Sequence, residues 1–173
     1  MTGVRRGLAK VQVRIGIATG EVVVGNIGSE LTRSYTVIGD TVNLASRLDG
    51  ACKSYGARAL ISEATQREVG DAVELREIDT VLVRGKTEPE HVFELLGRKG
   101  NLSEQQRELR ARYGTALAAY RRRSWDEAVG GFEACLAIQP EDPPSRVMLA
   151  RALQLRERPP ADDWDGVWVL EEK

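Results

Sequence analysis

Between residues 11 and 17, Val11, Val13, Ile15 and Ile17 alternate with Gln12, Arg14 and Gly16, the period of two that predicts a half-buried strand. Thr19-Gly20 breaks the run, and Val22, Val23, Val24 and Ile27 resume it as a β-branched stretch that suits a strand covered on both faces. The two together predict a hairpin, and Ser34 to Ile38 is a third strand. After Gly39 the period changes: Leu44, Leu48, Ala51 and Cys52 fall on one face of a helix that Asp40 or Thr41 is placed to cap. Asn43 and Arg47, four residues apart, share another face of that helix and form a polar pair.

Further along, the pattern predicts a strand at 59–62, a helix at 63–69, and strands at 73–78, 80–83 and 91–96, with Arg84 to Pro89 as the turn before the last strand. Gly97 to Asn101 reads as a basic linker, and Ser103-Glu104-Gln105-Gln106 as a capping box that opens a helical region running to Glu157. Breaks are expected at Arg123-Ser124 and from Gln139 to Pro144, with Leu149 and Leu153 inward on the last helix. The tail from Pro159 is rich in proline, acid and tryptophan. The fold class expected is α+β: a partial ferredoxin-like sheet with helices, then an all-α segment. The divisions fall at 1–97, a linker 98–102, helices 103–158 and a tail 159–173.

Charge changes the picture little. Lys and Arg number 25 against 26 Asp and Glu, a net charge of −1 in 173 residues, so no global field draws the chain to nucleic acid or an acidic membrane surface. An anionic ligand must be held locally. Cys52 and Cys135 match neither a zinc spacing nor a disulfide framework and are expected as small core residues in a reducing compartment. No stretch approaches the ~20 apolar residues of a membrane helix, so a cytoplasmic location is expected. His91, beside an acidic turn, is expected to be a surface strand residue without a partner.

The stretch YTVIGDTVNLASRL, from Tyr35 to Leu48, resembles the strand-turn-helix signature of class III adenylyl and guanylyl cyclases. The preceding VRIGIATGEVVVGNIGS and the later VRGKTEP are similar to the same family in the same order, so the resemblance covers roughly Val11 to Gly97, the C-terminal half of the catalytic domain. It implies that Arg47 stabilises the transition state, that Asn43 orients the ribose and that Thr36 faces the purine, favouring ATP over GTP. Arg84, and after it Lys86, would hold the β- and γ-phosphates, with a solvated turn as the plain alternative. Gly85-Lys86-Thr87 is not the end of a P-loop, because the first glycine of that pattern would fall at Thr80.

Family cyclases bind two divalent ions, Mg2+ or Mn2+, through two aspartates upstream of everything here, and build the active site between two catalytic domains. Asp40 leads directly into a helix and is expected to cap it rather than bind metal. The resemblance therefore implies ATP as ligand and a second cyclase domain, as homodimer or complementary half, that supplies the metal ligands. This chain alone is expected to be inactive, and its start to be a truncation or an alternative start with uncovered sheet edges. Ala116, Tyr120, Trp125, Ala128, Phe132 and Pro140 fall at spacings similar to one TPR. One repeat and a half cannot stand alone, so this segment is expected to pack on the cyclase part or a dimer mate, or to bind a protein partner. The tail DDWDGVWVLEEK resembles the ends of some bacterial cyclases that carry an extracytoplasmic sensor and membrane helices, which implies a membrane-anchored parent. The rival expectations are a non-catalytic regulator and a guanylyl cyclase half.

Overall fold

The computed structural model describes residues 13–29, 32–83 and 88–170. Its first strand, β1 (Ile15–Ile17), leads to a hairpin of β2 (Val23–Ser29) and β3 (Thr32–Ile38), then helix α1 (Asp40–Tyr55), strand β4 (Ala59–Ser62) and helix α2 (Glu63–Val69). A 3₁₀ turn at Gly70–Ala72 precedes β5 (Val73–Val83) and β6 (Glu90–Arg98). Three helices follow, α3 (Glu104–Arg121), α4 (Trp125–Ile138) and α5 (Pro143–Glu157), and the chain closes on β7 (Trp168–Leu170). The architecture is mixed α+β. One sheet has the order β1-β4-β6-β5-β7, and β2-β3 forms a separate pair.

β1 lies parallel to β4, with Ile15 opposite Ala59, and not against β2 as the local alternation suggested. β2 pairs instead with β3, Val23 opposite Ile38 and Asn26 opposite Tyr35. Alternation fixes which faces a strand has but not its neighbour, and α1 provides the crossover that a parallel β1–β4 pair requires. The expectation that the valine run is covered on both faces is also overturned within the described residues. Val23 and Ile38 on one face of the hairpin, and Val24 and Tyr35 on the other, are all exposed.

α1 is built as its pattern predicts on the buried side, with Leu44, Leu48, Ala51 and Cys52 in the core and Tyr55 added to them. Its cap differs from the expected one. Gly39 occupies the cap with φ 147, its carbonyl accepts from the N–H groups of Val42 and Asn43, and no side chain caps the helix. Such a positive φ favours glycine, which moves the cap one residue ahead of Asp40. Thr41 uses its hydroxyl to donate to the carbonyl of Glu21, 3.0 Å away, tying the helix start to the residues before β2.

The stretches predicted as two strands, 73–78 and 80–83, form one strand with irregular register at Glu74/Leu75 and Glu77/Asp79. The expected linker is an ordered turn: the N–H of Lys99 donates to the Ala72 carbonyl and that of Gly100 to Glu74. Ser103 and Gln106 complete the reciprocal capping box at the start of α3. The helices lie on the sheet, where Tyr113 donates to the Ile78 carbonyl at 3.0 Å and stacks edge-on against Phe132. On α5 the inward face centres on Met148, Arg151 and Ala152, while Leu149 and Leu153 are only partly buried at its margin. The tail is not a loose appendage: β7 runs parallel to β5, Val81 opposite Trp168, and Trp164 stacks on Tyr120.

Candidate active site

β3, the Gly39 turn and α1 form one continuous strand-turn-helix that carries three of the five residues the sequence singled out. Thr36 lies in β3 opposite Gly25, and its residue surface is exposed. Asn43 lies in the first turn and a half of α1 and is exposed. Arg47, one turn further, is part-buried. Its Nη1 is buried and has no hydrogen-bond partner among the described residues. A guanidinium donor left without an acceptor is costly unless an acceptor comes from outside, so this atom is the strongest local sign of a site for an anionic ligand. Arg84 and Lys86, the two candidates for the phosphate turn, lie outside the described residues. The base of their turn is described: Thr80 pairs with His91 and Val81 with Glu90 across β5 and β6.

The core also contains charged groups that the sequence pattern did not disclose. Asp79 of β5 is fully buried, accepts from the Tyr55 hydroxyl at 2.6 Å and from Arg151 Nη1 at 2.5 Å, and takes the Thr80 N–H at 2.8 Å. Burial pushes its carboxyl above the ordinary range although Arg151 and Tyr55 pull the other way. A second cluster joins Arg76 to Glu94 and to both carboxylate oxygens of Asp142, which also caps α5 by accepting from the Ser145 N–H. Glu94 is likewise raised by burial against the pull of Arg76. Asp79 falls where the register of β5 shifts, and that interruption of the alternation was the available signal; its partner lies 72 residues away in sequence.

His91 departs from expectation. Its Nδ1 lies 2.9 Å from Glu77, which also accepts from Arg121 at 2.6 Å. Cys52 and Cys135 are buried and free, as expected of core thiols, and burial raises both. Among the described residues no group of three or more His, Cys, Asp or Glu side chains could hold a metal ion. The buried carboxylates are already engaged by arginines, so the described residues do not fit a pair of divalent ions. No helix among them is long and apolar enough to cross a membrane.

Comparison with known proteins shows the family. Residues 3–96 match the adenylate and guanylate cyclase catalytic domain family. The chain is 31% identical over 150 residues to the terminal-differentiation specific adenylate cyclase of Dictyostelium discoideum, in a match covering 84% of this chain and 7% of that protein. It is 40% identical over 91 residues to adenylate cyclase 1 of Rhizobium meliloti, covering 53% of this chain and 14% of that one. The adenylyl cyclase CyaB of P. aeruginosa superposes with a TM-score of 0.47 at 32% identity, over 57% of this chain and 50% of CyaB. The chain thus spans a small part of the length of these curated relatives. With the signature strand-turn-helix in place and more than half of its residues matched, the chain belongs to the adenylate and guanylate cyclase catalytic domain family.

Proposed function

We propose that this chain contributes one side of an adenylate cyclase active site, a phosphorus-oxygen lyase converting ATP to cAMP and pyrophosphate in intracellular signalling. The observation that carries the reading is the buried Nη1 of Arg47, without a partner among the described residues, one turn from the exposed Asn43 on α1. In the reaction the ribose 3′-oxygen attacks the α-phosphorus, the hydroxyl proton is lost, and the bond to the β-phosphate oxygen breaks as pyrophosphate leaves. Negative charge grows on phosphoryl oxygens along this path. The planar, permanently charged guanidinium of Arg47 suits it, and the Asn43 amide can donate to and accept from the ribose.

Thr36 would meet the purine edge. Its hydroxyl both donates and accepts, and it is the reason ATP is preferred to GTP in this reading. Arg84 and Lys86 would hold the outer phosphates. The two divalent ions, Mg2+ or Mn2+, would arrive with a second cyclase domain, either another copy or a complementary half, and the chain alone would be inactive. The exposed valines of both hairpin faces support such a partner. The segment 103–158 would be a TPR-like domain, with any further protein partner on its outer side, and the protein would work in the cytoplasm.

The test is complementation. Mixed with a cyclase half that carries the two metal aspartates, the chain is expected to produce cAMP from ATP and Mn2+, and Arg47→Ala is expected to lower kcat by about 10³-fold or more with a much smaller effect on KM. Pairing without activity would favour a regulatory role, and a preference for GTP would make it a guanylate cyclase half.

A further inference from the structure

Helix α1 carries Asn43 and Arg47 near its start and ends at Tyr55, and that end is held from the far side of the chain. The Tyr55 hydroxyl donates to Asp79 at 2.6 Å, and Arg151 Nη1 reaches both the Tyr55 oxygen, at 3.2 Å, and Asp79, at 2.5 Å. The Arg151 guanidinium lies over the Tyr55 ring at 5.0 Å and over Trp168 of β7 at 3.9 Å. All of Tyr55, Asp79 and Arg151 are buried. The start of α5 also comes into close contact with the end of α1. A Cβ added to Gly56, the residue that ends α1, would stand 2.3 Å from Cβ of Pro143, the first residue of α5.

We infer that Arg151 is a positioning residue for the nucleotide site, fixing the axial placement of α1, and so of Asn43 and Arg47, through Tyr55 and Asp79. The inference rests on the cyclase reading above for its catalytic consequence. Tyr55 and Arg47 are eight residues apart, about 12 Å of helix at 1.5 Å per residue. A helix transmits displacement along its axis as a rigid body, so slack at Tyr55 arrives at Arg47 undiminished. Misplacement of a catalytic group by about 1 Å costs on the order of 100-fold in rate. The TPR-like helices after residue 103 then bear on the catalytic helix as well as on any partner at their outer side. The Dictyostelium match covers 84% of the chain, more than residues 1–97 can supply, and so reaches into these helices.

Arg151→Met keeps the stem but leaves Asp79 buried with its charge unmatched, and that variant is destabilised whatever Arg151 does for catalysis. The double variant Asp79→Asn with Arg151→Met removes both charges and restores a neutral interior. Each is measured as the full chain mixed with the metal-aspartate half, by melting temperature, by kcat and KM for ATP, and by hydrogen exchange of the α1 amides. The double variant is expected to regain most of the melting temperature while kcat stays about 10- to 100-fold below the parent with KM within about 3-fold, and α1 amides exchange faster. Recovery of kcat together with the melting temperature would reduce Arg151 to a structural role and overturn the inference. A parent mixture without cyclase activity would defeat the cyclase reading and the catalytic consequence with it. The exchange data separate that case, since unchanged α1 protection in both variants would show that the tie itself does not exist.

Discussion

Gly16 shows how a single position fixes the distance between the sheet and the helix that bears Asn43 and Arg47. A Cβ there would lie 2.1 Å from the Ala45 carbonyl oxygen and 2.4 Å from the Asp49 nitrogen, both backbone atoms of α1 that no side-chain rotation can move. Gly16→Ala is therefore expected to push α1 off β1 and to cost about 1–3 kcal/mol, as overpacking does, read as a lower midpoint in urea unfolding with the slope unchanged. An unchanged midpoint would mean that the helix has slack. Glu77 gives a second expectation, in pH. Burial opposes its ionisation, but donation from Arg121 and His91 holds its carboxyl below the ordinary glutamate value. A carboxyl lowered on folding contributes stability that is present above its unfolded pKa of about 4.3 and is lost as pH falls through the folded value. Glu77→Gln should thus melt lower than the parent at pH 6, by about 1 kcal/mol for a pair a third exposed, and the two should converge toward pH 3. A gap that persists at pH 3 would put the effect on packing instead. Asp79 and Glu94, raised on folding, work in the opposite sense: their contribution is full below the unfolded pKa and declines as pH rises through the folded one. None of these roles is legible from residue type alone, since the close approach at Gly16 and the partners of Glu77 are set by elements distant in sequence.

At the scale of elements, α5 is held at its first turn by one carboxylate with two duties. Asp142 accepts from the Ser145 N–H and hydroxyl and also from both terminal nitrogens of Arg76 in β5. Asp142→Ala removes a helix cap and leaves a buried guanidinium with Glu94 alone. The expected loss is about 3–5 kcal/mol, against about 1 kcal/mol for Ser103→Ala, which removes a cap at the exposed start of α3. Equal losses in thermal melts would show that the buried link adds nothing beyond capping. The difference between these caps also explains what the sequence disclosed. Ser103 caps through a neighbour three residues on, so the box was legible, as were the limits of β4, α2 and the breaks between α3, α4 and α5, all set by local chemistry. The buried face of α1 followed from its period in the same way. Of the readings that needed a partner distant in sequence, the β5–β6 pair and the packing of the helices on the sheet were legible, whereas β1 with β4 rather than β2, the tail as β7 beside β5, and the arginines that cross from the helices to the sheet were not. The candidate residues divide likewise: Thr36, Asn43 and Arg47 could be named from a contiguous motif, whereas the Tyr55–Asp79–Arg151 cluster at the other end of α1 could not.

For the molecule as a whole, the unbalanced feature is the hairpin of β2 and β3. Residues opposite one another across an antiparallel pair share a face, so Val23 and Ile38 lie on one side and Val24 and Val37 on the other, with Tyr35 beside them at 75% exposure. Ile15 and Ile17 of β1, in the other sheet, are exposed as well. A two-stranded ribbon is marginal in water by itself, and exposed apolar side chains on both of its faces draw it to whatever apolar surface is nearest. At micromolar concentration the nearest is another copy of the chain. Sedimentation is expected to show concentration-dependent association between about 1 and 100 μM, and the double change Val24→Lys with Val37→Lys, at positions already exposed, is expected to shift the chain toward monomer without lowering its melting temperature. Stoichiometric addition of the metal-aspartate half should have the same effect on self-association, because in the cyclase reading it competes for the same faces. A parent chain that stays monomeric across that range would mean that the hairpin is stable uncovered, and the physical case for a partner on it would fall. If lysines at 24 and 37 abolished self-association but left pairing with the complementary half intact, the partner would have to bind elsewhere, and the surface that supports the two-sided active site would have been misidentified.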